Sequence, residues 1–178
     1  MKIVIGLGNP GKKYERTRHN AGFLALDYLM EARKIKNLEW EKKYDSEILK
    51  IPFENQEVLF VKPQTFMNES GKAIGQLLKY SNARITDLLI IHDDVDLKLG
   101  DIRLYGEGSA GHKGMESIIK TLGYGFTRLR IGVENRTERR IPPTEDYVLK
   151  EFPENELAQL KKVVFPRVSE EIKKFIEK

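Results

Sequence analysis

The 178-residue chain contains no cysteine. Disulfides, thiolate metal sites and a cysteine nucleophile are therefore excluded, and the chain suits a reducing compartment, the cytoplasm. Histidine is scarce: His19, His92 and His112 are the only three. No H-x-x-x-H or H-E-x-x-H pair exists, so zinc-ligand spacing is missing. The acids of "HDDVD" (residues 92–96) offer a weaker cation site. No apolar run approaches the roughly 18 residues of a membrane span. The opening "MKIVIGLGNPG" lacks the long apolar region and small-residue cleavage site of a signal peptide. The serine elbow G-x-S-x-G fails at Glu107 in "EGSAG". Without a cysteine or an elbow, direct attack by a water that a histidine deprotonates is the simpler hydrolytic scheme.

Basic residues are what the chain has in excess, with a formal net charge of +4. Residues 98–140 carry nine Lys/Arg against five Asp/Glu, and Lys12, Lys13, Arg16 and Arg18 form a second surplus. Residues 151–178 balance, six against six. Such clustering fits a phosphate-backbone ligand; it also fits an ordinary solvated surface.

The periodicities alternate. "KIVIGLG" (2–8) and "DLLIIHDDVD" (87–96) read as buried strands, and "SEILKI" and "EVLFVKP" as a hairpin across "PFENQ". Residues 20–33, with Asn20 as N-cap, 68–82 and 112–123 read as helices. Strand "RLRIGVEN" (128–135) follows, then the polar loop "NRTERRIPPTEDY" (135–147), expected to be a moving lid. Two helical stretches split by Pro166 end the chain. The order predicts a single three-layer α/β domain over residues 1–178, with a mixed, mostly parallel central sheet flanked by helices. The site is expected outside the carboxyl ends of the strands.

Gly6, Gly8 and Gly11 match the G-x-G-x-x-G dinucleotide fingerprint, but the match misleads. A Rossmann loop opens directly into a helix whose N-terminus holds the pyrophosphate. Here about nine polar residues intervene, and no acid closes a second strand at the required distance. "GLGNP" reads better as a tight turn that fixes Asn9 at a strand end.

His19 precedes a helix in a polar stretch and is expected to be accessible. His92 is expected in the core, and His112 at a helix start that can bind an anion. A structural or surface role is the alternative for each histidine. Asp93 and Asp94 lie at a strand end, where a carboxylate can orient an imidazole from another strand end. "KPQTFMNESG" (62–71) allows two readings. Asn68 is a helix cap over core Phe66 and Met67, or these three are a wall with one polar hook for a peptide-like ligand or a base.

"GLGNPGKKYERTRHNAG", "KPQTFMNESGKAI", "HDDVDLKLGDIRL", "GSAGHKGMESII" and "RLRIGV", in this order, resemble bacterial peptidyl-tRNA hydrolases. The resemblance implies a monomeric enzyme that needs no metal or cofactor and hydrolyses the ester between a peptide and the 3′ ribose of tRNA. It implies His19 as general base, Asp93 as its orienting partner and Asn9 as reader of the peptide. Tyr14, Phe66, Asn68 and His112 would meet the tRNA end or the peptide, and Arg103 and Arg130 the 5′ phosphate. Lys113 stands where the family usually has Asn, which turns a two-way amide into a cation suited to a phosphate. The loop "GEGSAGH" is a residue shorter than the common form, and Tyr105 replaces a frequent basic residue. A non-catalytic RNA-binding protein on the same fold is the alternative.

Overall fold

The computed structural model describes residues 1–35, 38–106, 108–137 and 142–178. Its centre is β1 (Lys2–Gly6), whose run of β-branched residues suits a strand buried on both faces. Then follow helix α1 (Ala21–Ala32), strands β2 (Glu41–Lys43), β3 (Ser46–Phe53) and β4 (Gln56–Pro63), and helix α2 (Ser70–Ser81). Strands β5 (Leu88–Lys98) and β6 (Ile102–Leu104) lead to α3 (Lys113–Leu122) and β7 (Thr127–Glu134). The described residues end with α4 (Thr144–Val148), α5 (Glu154–Gln159) and α6 (Phe165–Ile176). The seven-stranded sheet has the order β2-β3-β4-β1-β5-β7-β6. Pairs β4–β1, β1–β5 and β5–β7 are parallel; β2–β3, β3–β4 and β6–β7 are antiparallel. This is the expected mixed α/β sheet.

Strand alternation divides the core in two. Val4, Leu89 and Ile91 point to the face covered by α1 and α6, where Leu26, Phe165 and Ile172 meet them. Ile3, Ile5, Leu88 and Ile90 point to the face covered by α2 and α3, against Ile74, Met115 and Ile118. Helices therefore flank both faces.

Several local expectations change. The chain turns from β3 to β4 through Glu54 and Asn55, as read, but the short edge strand β2 gave no sequence signal. The segment 135–147 is not wholly loop: α4 begins at Thr144, after Pro142 and Pro143, and residues 138–141 of the expected lid lie outside the described residues. The C-terminal helices are not split at Pro166. A π-helical turn, Leu160–Val164, joins α5 to α6 without a break, and Pro166 is the second residue of α6, directly after that turn.

Two glycines of the false fingerprint serve packing, and the third, Gly11, takes a φ of 103° with open space around it. A Cβ on Gly6 would lie 2.4 Å from the Gly22 carbonyl oxygen, and one on Gly8 2.7 Å from the Phe23 ring. Between Gly11 and α1 run two 3-10 turns, Lys12–Tyr14 and Arg18–Asn20, so the loop does not open into a helix.

Candidate active site

The strand ends and the loop after β1 converge on a cleft of about 460 Å³. Of the residues expected from sequence, Asn9, Tyr14, His19 and Phe66 line it, as do Asn68, Asp93, His112 and Lys113. Arg103 and Arg130 do not. They are cross-strand neighbours on β6 and β7; Arg103 is exposed, and Arg130 donates from Nε to Asp94 Oδ2 at 2.6 Å.

His19 occupies the 3-10 turn before α1, and the far end of the chain pins that turn. Arg18 N–H donates to the Lys150 carbonyl and Phe152 N–H to the Arg16 carbonyl. The Arg18 guanidinium pairs with Glu156 at 2.8 Å, both side chains under one-tenth exposed, and stacks on Tyr147 at 4.3 Å. His19 is more enclosed than its polar surroundings suggested, 8% exposed. Asn20 does not cap α1 with its side chain. Instead its Oδ1 accepts from Asn9 N–H at 2.9 Å and its Nδ2 donates to the Asn9 carbonyl at 3.0 Å. Those two bonds fix the Asn9 backbone, and Asn9 Oδ1 accepts from Met67 N–H at 2.8 Å. The Asn9 amide is therefore oriented, with Oδ1 occupied and Nδ2 left as the donor.

Asp93, 1% exposed, is the hub; it lies not at a strand end but midway along β5, just past the stretch paired with β1. His19 Nδ1 lies 2.9 and 3.0 Å from its two oxygens, and His112 Nε2 lies 2.9 Å from Oδ1. A carboxylate only accepts, so both nitrogens carry protons. That leaves His19 Nε2, which has no hydrogen-bond partner among the described residues, as a lone pair. Burial opposes charge on Asp93, but the His19 and His112 imidazoles outweigh it and hold the carboxyl well below its usual range. Burial likewise disfavours charge on His19, and Lys113 adds to that; the Asp93 charge and hydrogen bond outweigh both and raise its pKa above 6.5.

His112 is the N-cap of α3, and its Nδ1 accepts from Met115 N–H at 3.2 Å. The ring caps the helix and so is not a free anion site. His92 is in the core, as read. Its Nδ1 donates to the Asp93 carbonyl at 2.7 Å, and its ring packs edge-on to His112 with centroids 4.7 Å apart. Burial, followed by the proximity of His112, pushes His92 down to about 3.

Could His19, Asp93 and His112 hold a metal? Their ligand atoms lie within 4.8 Å of one another. The donor set does not fit, because a cation on His112 Nε2 would strip its proton while Met115 N–H occupies the other nitrogen. The "HDDVD" acids do not converge either: Asp93 serves the histidines, Asp94 holds Arg130, and Asp96 is exposed.

The cleft walls divide the 62–71 segment between its two readings. Met67 is core, 4% exposed, whereas Phe66 stands 54% exposed with its ring 6.4 Å from Tyr14, edge-on. Asn68 is exposed and makes no side-chain cap on α2. Lys113 spans the opposite wall to Glu145 on α4, 2.9 Å away. Sequence reading missed Glu145 and the pairing of Asp94 with Arg130, because each matters only through a partner distant in the chain.

A family model described as peptidyl-tRNA hydrolase matches residues 3–178. A peptidyl-tRNA hydrolase of Mycoplasma capricolum is 45% identical over 163 residues, 90% of this chain and 86% of the relative. One of Staphylococcus aureus is 42% identical over 180 residues, 99% of this chain and 92% of the relative. A crystal structure of peptidyl-tRNA hydrolase from Acinetobacter baumannii superposes with a TM-score of 0.87 at 31% identity, covering 99% of this chain and 89% of that one. By sequence and fold alike, the chain belongs to the peptidyl-tRNA hydrolase family.

Proposed function

We propose that the chain hydrolyses the ester linking a peptide to the 3′ ribose of tRNA, with His19 as general base. One observation carries the assignment: Asp93 fixes the proton on His19 Nδ1, which leaves Nε2 basic beside a cleft large enough for a nucleotide and an aminoacyl group. Nε2 takes a proton from water as the hydroxide adds to the ester carbonyl. The bond to the ribose oxygen then breaks, and that oxygen takes the proton back from Nε2. The products are a peptide acid and a tRNA with a free 3′ hydroxyl. General base catalysis supplies about 10²–10⁴-fold; positioning and polarisation of the carbonyl supply the rest.

Asn9 selects the peptide. With Oδ1 held by Met67, its Nδ2 offers a donor, which suits the carbonyl of an N-acylated residue and repels a free α-ammonium. Phe66 and Tyr14 give rings for the terminal base or ribose, and Asn68 a polar contact beside them. Lys113 is the cation for a nearby phosphate once it leaves Glu145. Arg103 and Arg130 are cross-strand neighbours just outside the cleft, Arg130 tied to the cleft residue Asp94 and Arg103 exposed, a placement that suits the 5′ phosphate.

No helix among the described residues is long and apolar enough to cross a membrane. Together with a substrate made during translation, this supports a cytoplasmic enzyme. A sheet joining residues 2 to 134 beneath α6 supports one domain over residues 1–178, and a monomer is the form the family resemblance implies.

The test is release of N-acetyl-aminoacyl groups from tRNA at pH 7, with EDTA, by wild type and His19→Ala. Cleavage abolished in the variant supports the assignment. A wild type that binds tRNA without cleaving it makes this an RNA-binding protein on a hydrolase fold.

A further inference from the structure

All three histidines gather at Asp93, yet the reaction above uses only one. His112 is 8% exposed in its side chain and tied at both nitrogens, to Met115 N–H and to Asp93 Oδ1. Met115 N–H can only donate, so Nδ1 must accept and Nε2 must carry the proton. His112 is thus a donor of fixed direction. It uses the same carboxylate oxygen that His19 approaches at 2.9 Å. His92, packed against the ring, holds it there.

Resting on the reading of His19 as base, we infer that His112 is a positioning residue. By donating to Asp93 it shares the carboxylate with His19 and limits how firmly Asp93 keeps a proton on that base. A base held too firmly in its protonated form is idle at neutral pH; one with no carboxylate is weak and disoriented. Two donors on one carboxylate set a point between these extremes.

The other groups around His19 are arranged to leave this control in place. Lys113 on α3 faces it and is paired with Glu145 on α4, where Asp146 also lines the cleft. Asp94 on β5 is neutralised by Arg130 on β7, and Arg18 by Glu156 on α5. Tyr14 contributes the remaining titratable group on the cleft wall. His92, pushed down to about 3, stays neutral throughout the working range.

The experiment follows the His19 imidazole by NMR titration and kcat by pH profile in wild type, His112→Phe and His112→Gln. Phe keeps a ring against His92 and removes the donor; Gln restores one. His112→Phe is expected to move the His19 midpoint and the acid limb of kcat upward together, by about half to one pH unit. That is a roughly threefold to tenfold slower reaction on the acid side. His112→Gln should return both towards wild type. A limb that follows His19 but ignores His112→Phe, or a change in KM alone, overturns the inference and makes His112 a substrate contact. A wild-type rate with no limb at the His19 midpoint overturns the base assignment and this inference with it. Should His112→Phe fail to fold, nitrogen-15 shifts of the wild type decide: a His112 lacking its Nε2 proton at pH 7 overturns the inference.

Discussion

Asp93→Asn is the sharpest test of the site, because the structure gives its effect a direction. The fixed His112 Nε2–H requires an acceptor and claims the Asn oxygen. The amide nitrogen then faces His19, whose Nδ1 must accept rather than donate. The imidazole proton moves to Nε2, the nitrogen that has to take a proton from water. At the same time the only influences raising the His19 pKa disappear, while burial and Lys113 still lower it. The active form of wild-type His19 is the neutral one, so its rate rises with pH through a midpoint above 6.5 and is level beyond it. In Asp93→Asn that limb moves to lower pH, opposite to the shift expected for His112→Phe. General base catalysis is worth about 10²–10⁴-fold, so kcat should fall by that factor. This is roughly 3–5 kcal/mol of barrier at 1.36 kcal/mol per decade. The assay is single-turnover cleavage of N-acetyl-aminoacyl-tRNA from pH 5 to 9, with circular dichroism to confirm folding. A variant that keeps more than about a tenth of kcat, or an unmoved limb, refutes the reasoning.

Three further outcomes are expected. Arg18→Met leaves the buried Glu156 without its counter-charge, held only by Asn135 Nδ2 at 2.9 Å, and should cost about 3–5 kcal/mol in urea unfolding, while Arg18→Met with Glu156→Leu should recover most of it; a loss below about 1 kcal/mol in the single variant would show the pair is not what pins the His19 turn. Gly71→Ala places a Cβ 2.2 Å from the Ser117 carbonyl, backbone against backbone. It should lose about 1–3 kcal/mol of stability and, by displacing α3, lower kcat as well; an unchanged denaturant midpoint would contradict the close packing of α2 on α3. Lys113→Asn should raise KM several-fold at low salt and flatten the log KM versus log salt slope by about 0.7–0.9, and an unchanged slope would mean that Lys113 holds no phosphate.

What the sequence made legible was local or periodic. β-branched runs place β1 and β5, and helical spacing places α1, α2 and α3, each within a few residues. The end of β1 before Asn9 points to the correct edge of the sheet, whereas Asp93, expected at a strand end, lies midway along β5 where β5 runs past β1. Elements with weak periods were not legible: β2 is three exposed residues, and α4 is a five-residue helix behind two prolines. A motif can also carry the right spacing for the wrong reason. Gly6 and Gly8 lie where α1 crosses β1, and contact distance requires them, not a phosphate.

The site shows the same division more strongly. Residue type and order identified His19, Asp93 and Asn9, yet what each does depends on bonds between residues far apart in the chain. Asn9 donates to substrate because Met67, 58 positions later, occupies its oxygen. His19 is enclosed because Glu156, 138 positions from Arg18, anchors its turn. His112 has one direction of donation because α3 starts at the next residue and offers an N–H three positions on. Only that last constraint is local; a histidine immediately before an amphipathic helix is itself a sequence-level sign of a cap. A capping histidine has one nitrogen committed, and its other nitrogen can only donate. Once Asp93 is placed within reach, the cap fixes the His112 tautomer, and the carboxylate, which only accepts, fixes that of His19.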